Sequence, residues 1–80
     1  MSRFEYHFVS FKPVPAKNNE LHVSTINDKS VDGFHDGSTP SLSRYANELG
    51  DQGWELIFYE PATHFSDILA VRVVFKRPKE

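Results

Sequence analysis

The chain contains no cysteine, which removes disulfide frameworks, zinc-thiolate sites and cysteine nucleophiles together. It also lacks an apolar run long enough to cross a bilayer. Charge of one sign is scarce as well. Nine Lys and Arg stand against eleven Asp and Glu, for a formal net charge of −2. The one basic cluster, Lys76-Arg77-Pro78-Lys79, lies at the end of the sequence. Sequence-independent nucleic-acid binding needs a positive field, so no nucleic-acid partner is expected. The start, Met1-Ser2-Arg3-Phe4-Glu5-Tyr6, has no apolar block of the secretory kind. The expectation is therefore a cytoplasmic chain with no membrane partner.

What remains suffices for one small core. Eighty residues make a single domain, 1–80, and a 39% hydrophobic share argues for a compact fold rather than disorder. Bulky pieces are few: seven Phe, three Tyr and one Trp.

One helix is expected over about residues 40–52. Leu42, Tyr45, Ala46 and Leu49 recur at i, i+3, i+4 and i+7, an apolar stripe, while Ser43, Arg44, Asn47, Glu48 and Asp51 fill the other side. Thr39-Pro40 reads as its start, with the threonine as cap and the proline in the first turn. Gly53 fits the left-handed position just past the end. Trp54 then lies where it closes an apolar contact with Leu49 and anchors the core.

Three strands flank this helix. Residues 3–11 alternate, with Phe4, Tyr6 and Phe8 on one side and His7, Val9 and Phe11 on the other. Residues 54–60 form a second strand that Pro61 stops, and residues 67–77 form a third, apolar on both faces as a central strand is. The order β-α-β-β predicts an α+β fold: a three- or four-stranded antiparallel sheet, strand order 1-3-2, with the helix on one face. In that arrangement Phe4, Tyr6, Phe8, Leu56, Phe58, Leu69, Val71 and Val73 face the helix. Residues 12–38 form a long insert. Within it, 20–26 has strand character and predicts an extra edge strand folded back on the first, after a turn at Asn18-Asn19.

The run Leu42 to Tyr59, with Asn47-Glu48-Leu49-Gly50 and Gly53-Trp54-Glu55-Leu56 at its centre, resembles the bacterial domain-of-unknown-function 4177 family. Phe4-Glu5-Tyr6 and Val74-Phe75-Lys76-Arg77-Pro78 look like that family's ends. The resemblance covers roughly two-thirds of the chain. It implies a small β-α-β-β module with Leu49, Gly53 and Trp54 as a structural motif, and it implies no activity and no catalytic residue. The insert departs from the family's shorter connection.

Two candidate sites follow from the residues. The loop from Asp28 to Thr39 places Asp28, Ser30, Asp32 and Asp36 at the first, third, fifth and ninth positions, with Gly33 sixth, which is the spacing of a calcium loop. Its twelfth residue is Thr39 rather than the bidentate glutamate such a site uses, and a solvated turn explains the same residues. The other candidate is the sheet face away from the helix. Phe11, Ile57, Tyr59, Ile68 and Val74 are expected there, more apolar surface than one helix can cover. Either the insert folds over that face or a second copy of the chain does. No phosphate-cradling loop, dinucleotide fingerprint or nucleophile turn is present. The expectation is a non-enzymatic interaction module that forms a homodimer through the open face or a strand edge, without a cofactor; the alternative is a small ligand or divalent metal bound by residues 27–39.

Overall fold

The computed structural model describes residues 3–63 and 69–79. It is an α+β domain. The elements run β1 (Phe4–Val14), a 3-10 turn (Pro15–Lys17), β2 (Glu20–Ile26), β3 (Lys29–Ser30), α1 (Leu42–Asp51), β4 (Glu55–Thr63) and β5 (Leu69–Pro78). The strands form one antiparallel sheet in the order β3-β2-β1-β5-β4. The strand count and full order differ from the expected three or four strands in order 1-3-2. Segment 20–26 does fold back on β1, and β3 then adds a fifth strand outside it. Asn27 and Asp28 both have positive φ, 49° and 68°, and form the two-residue turn that carries the chain into β3. Much of the 12–38 stretch is thus sheet rather than a loose insert.

α1 begins two residues later than Thr39-Pro40 suggests. Ser41 is the cap, its side chain accepting from the Arg44 N–H at 3.4 Å. Thr39 and Pro40 serve the sheet instead. The Thr39 hydroxyl donates to the Val23 carbonyl at 2.8 Å, and the Val23 N–H donates to the Pro40 carbonyl at 3.0 Å. This straps the outer edge of β2 where β3 ends. The far end of α1 follows its glycine: Gly53 sits at φ +89°, its N–H bonds the Gly50 carbonyl, and the Trp54 N–H bonds the Leu49 carbonyl, both at 3.0 Å. That pair of bonds satisfies carbonyls the helix leaves open and turns Trp54 onto the core.

The core lies between α1 and one face of the sheet. Val9, Phe11, Val23, Leu49, Val71, Val73 and Phe75 are its buried members, with Leu42, Tyr45, Ala46 and Trp54 packed against them. Register explains which residues of β1 take part. His7, Val9 and Phe11 stand opposite Phe75, Val73 and Val71 of β5 and share the helix side. Phe4, Tyr6 and Phe8 stand opposite Pro78, Lys76 and Val74 and point the other way. The expected assignment of β1 is therefore reversed. β4 changes sides within itself: Leu56 pairs with Phe75 on the helix side, a bulge follows at Ile57, and Phe58 pairs with Val74 on the open side. Pro61 does not stop β4, which runs to Thr63, because an edge strand tolerates a residue without an N–H.

Candidate interaction surface

The open face is built in rows across β1, β5 and β4. Phe8, Val74 and Phe58 form the central row. On one side of it lies Tyr6-Lys76-Glu55, and on the other Ser10-Arg72-Glu60, where Ser10 is also hydrogen-bonded to Thr25 of β2. Exposure is high for residues so apolar: 50% for Tyr6, 51% for Phe8, 47% for Phe58 and 40% for Phe4. The Lys76 ammonium sits 4.5 Å from the Phe4 ring centre, and the Tyr6 and Phe8 rings lie 6.5 Å apart. A hollow of about 400 Å³ opens beside the central row, lined by Phe8, Phe58 and Val74 with Thr25, Asp28 and Arg72 around it. On β4, the last strand of the sheet, Ile57 is exposed at the bulge, while Leu56 and Tyr59 are exposed on the helix side, opposite Phe75 and Val73.

The expected contact residues are distributed unevenly over this surface. Ile57 is exposed at the β4 bulge, and Val74 is the half-buried centre of the middle row; Tyr59 is exposed too, but it stands opposite Val73 and so lies on the helix side rather than the open face. Phe11 is not on it. It is 0% exposed under α1, because its partner Val71 is a helix-side residue. Ile68 lies outside the described residues. Phe4, Tyr6, Phe8 and Phe58, expected on the opposite face, lie here instead and supply most of the aromatic area. Two features of the sequence bear on their position. β5 is apolar on its Val71-Val73-Phe75 side and carries Arg72 and Lys76 on the other, and β1 must match it residue by residue.

The polar loop is arranged as a turn. Asp36 Oδ1 accepts from the Ser38 N–H at 2.9 Å and from its hydroxyl at 2.5 Å, and these bonds hold the carboxyl below its ordinary value of 3.8. Asp28 lies in the β2–β3 turn and Ser30 in β3. Asp32 follows in an exposed turn. Among the described residues no three Asp, Glu, His or Cys side chains are grouped so as to hold a metal ion. No helix there is long and apolar enough to cross a membrane.

Two histidines are hydrogen-bonded within the fold. His22 is buried, with Nδ1 2.5 Å from the Thr39 carbonyl and Nε2 2.7 Å from Glu20 Oε1. It thereby ties the Thr39 strap to β2. His7 Nε2 lies 2.6 Å from the Tyr45 hydroxyl, and its ring is 5.4 Å from that of Trp54. Burial holds the His7 imidazole below its ordinary 6.5, helped by the Arg77 cation. Burial raises Tyr45, and Glu48 adds to the rise. Both shifts favour neutral partners, a phenol donating to an uncharged ring. Arg77 itself stacks over Trp54 at 4.4 Å and pairs with Glu5 at 3.3 Å. Every buried side-chain N or O among the described residues has a partner, so no orphaned polar group points to a missing ligand.

Fold and surface together define a small sheet-and-helix domain with one face of its sheet left apolar and open. No protein-family model, curated protein or solved structure matches the chain.

Proposed function

We propose that this chain is a non-enzymatic interaction module, working in the cytoplasm, that self-associates through the open sheet face or the β4 edge. The observation that supports this is surface area. The chain exposes 5815 Å², whereas a compact folded monomer of its 9.2 kDa exposes about 4,900 Å². The excess, roughly 900 Å², compares with about 800 Å² buried per partner in a standard interface. On the open face Phe4, Tyr6, Phe8 and Phe58 are at least 40% exposed, and Val74 lies half-buried between Phe8 and Phe58. The motif from Leu42 to Tyr59 supports kinship with the domain-of-unknown-function 4177 family as a proposal, and that kinship adds a fold rather than a reaction. Binding of a divalent ion by Asp28, Ser30, Asp32 and Asp36 draws no support from their geometry.

Light scattering after size exclusion tests the proposal. A mass of twice 9.2 kDa is expected at high concentration, falling toward the single chain on dilution by roughly a hundredfold. A single-chain mass throughout defeats the proposal.

A further inference from the structure

Self-association leaves two geometries open, and the details of β4 separate them. A strand edge pairs by offering a regular row of N–H and C=O groups. The edge of β4 is interrupted twice. Ile57 sits at a bulge, which re-aims the backbone there. Pro61 has no N–H to give, which leaves Glu55–Glu60 as the usable stretch. That stretch begins and ends in glutamate. Two copies paired antiparallel about the Ile57–Phe58 bond set Glu55 of each against Glu60 of the other, and like charges directly opposed are destabilising. These are the devices by which an edge is kept from pairing. At the opposite end of the sheet the outer side of β2 is covered by β3 and by the Thr39–Ser41 strap, and β3 itself is only the two residues Lys29–Ser30.

The open face has the reverse properties. Its central row, Phe8-Val74-Phe58, is wholly apolar, and each flanking row contributes one cation and one carboxylate: Lys76 with Glu55, and Arg72 with Glu60. The two charges of each sign cancel. A surface that must meet its own copy across a two-fold axis has to be self-compatible in this way. A face that is neutral and aromatic also gives a poor field for a nucleic-acid backbone. The hollow of about 400 Å³ beside Phe8 and Phe58 offers space for interdigitating side chains, as packed sheets about 10 Å apart require.

We infer that the partner is a second copy of this chain, packed sheet face on sheet face across the Phe8-Val74-Phe58 row, with the β4 edge left unpaired. The inference rests on the self-association proposed above, and the test keeps the two apart. Phe8 on the face and Tyr59 on the edge strand are 51% and 50% exposed, so aspartate at each is a matched pair of substitutions. Masses by light scattering are compared for the wild-type chain, Phe8→Asp and Tyr59→Asp, with circular dichroism as the check of folding. Face packing predicts that Phe8→Asp weakens the dimer by at least about 30-fold, as loss of a central contact does, while Tyr59→Asp changes it by less than about threefold. The opposite order overturns face packing in favour of edge pairing. Two unaffected dimers also overturn it, while leaving self-association standing. A monomeric wild type removes the underlying proposal itself, and a mass increase with a uridine oligonucleotide would then assign the aromatic face to RNA. If Phe8→Asp does not fold, hydrogen exchange on the wild-type chain decides. Face packing leaves the β4 edge amides equally exchangeable in dilute and concentrated protein, and protection of those amides at high concentration overturns it.

Discussion

The two faces of β1 belong to one strand and differ in fate. On the helix side, Val9 and Phe11 are 3% and 0% exposed, and His7 is held by Tyr45. On the open side Phe4, Tyr6 and Phe8 keep at least 40% of their surface in water. The exposed set is no less aromatic than the buried one. Burial here is decided by what lies across the strand. α1 packs over the side on which β5 places Val71, Val73 and Phe75, and the side with Arg72 and Lys76 stays open. The buried face holds the monomer together. The exposed face, with its aromatic row between Arg72 and Lys76, takes no part in that core.

The largest expected effect breaks this comparison at its strongest point. Phe11→Ala removes a fully buried ring and costs about 3–5 kcal/mol, a large part of the roughly 4–12 kcal/mol that an 80-residue domain holds in total. Phe8→Ala, measured in dilute protein where association does not contribute, changes stability by about 0.5 kcal/mol or less. Urea unfolding of the two variants is the check. Equal losses would mean that the open face is covered within the single chain.

A smaller effect probes the strap that carries the chain from the sheet edge into α1. Thr39 is 5% exposed, and its hydroxyl donates to the Val23 carbonyl. Thr39→Val keeps the shape and leaves that carbonyl short of a donor, at a cost of about 1–3 kcal/mol. Thermal or urea unfolding reads it. A neutral result would show that the backbone bond from Val23 to Pro40 holds the strap alone.

The helix stripe and its glycine ending were legible because both are local: four apolar positions at helical spacing, then a residue that tolerates φ +89°. The core side of β5 was legible because Val71, Val73 and Phe75 alternate with charged Arg72 and Lys76. Strand 20–26 was legible from composition and from the turn before it. The side of β1 was not, since both of its faces are apolar and alternation alone cannot rank them. The helix start was not legible for a related reason: Thr39 and Pro40 are good capping residues, yet their hydrogen bonds go to Val23, a partner sixteen residues away in sequence for Thr39. Pro61 ends a strand only where its neighbour on that side needs an N–H, and an edge strand has no such neighbour. The open-face residues Phe4, Tyr6, Phe8 and Phe58 became visible once pairing register was known, and Phe11 left the candidate surface by the same step.

The smallest effect concerns pH and also distinguishes the two faces, because His7 is the imidazole on the helix side of β1. Its imidazole is held below 6.5 by burial and by Arg77, so the fold prefers the neutral ring. As pH falls, the unfolded chain takes up the proton first, and each step toward acid favours unfolding until the folded ring is also protonated. The contribution of His7 is therefore complete above its unfolded value near 6.5 and is lost as pH falls from there toward the folded value. Asp36, held below 3.8, acts only in more acid solution and does not overlap this window. Thermal midpoints measured from about pH 7.5 down to pH 5 should fall for the wild-type chain and fall less for His7→Gln, which has nothing to titrate there. Equal slopes would place the acid sensitivity elsewhere and leave the His7–Tyr45 contact as packing alone.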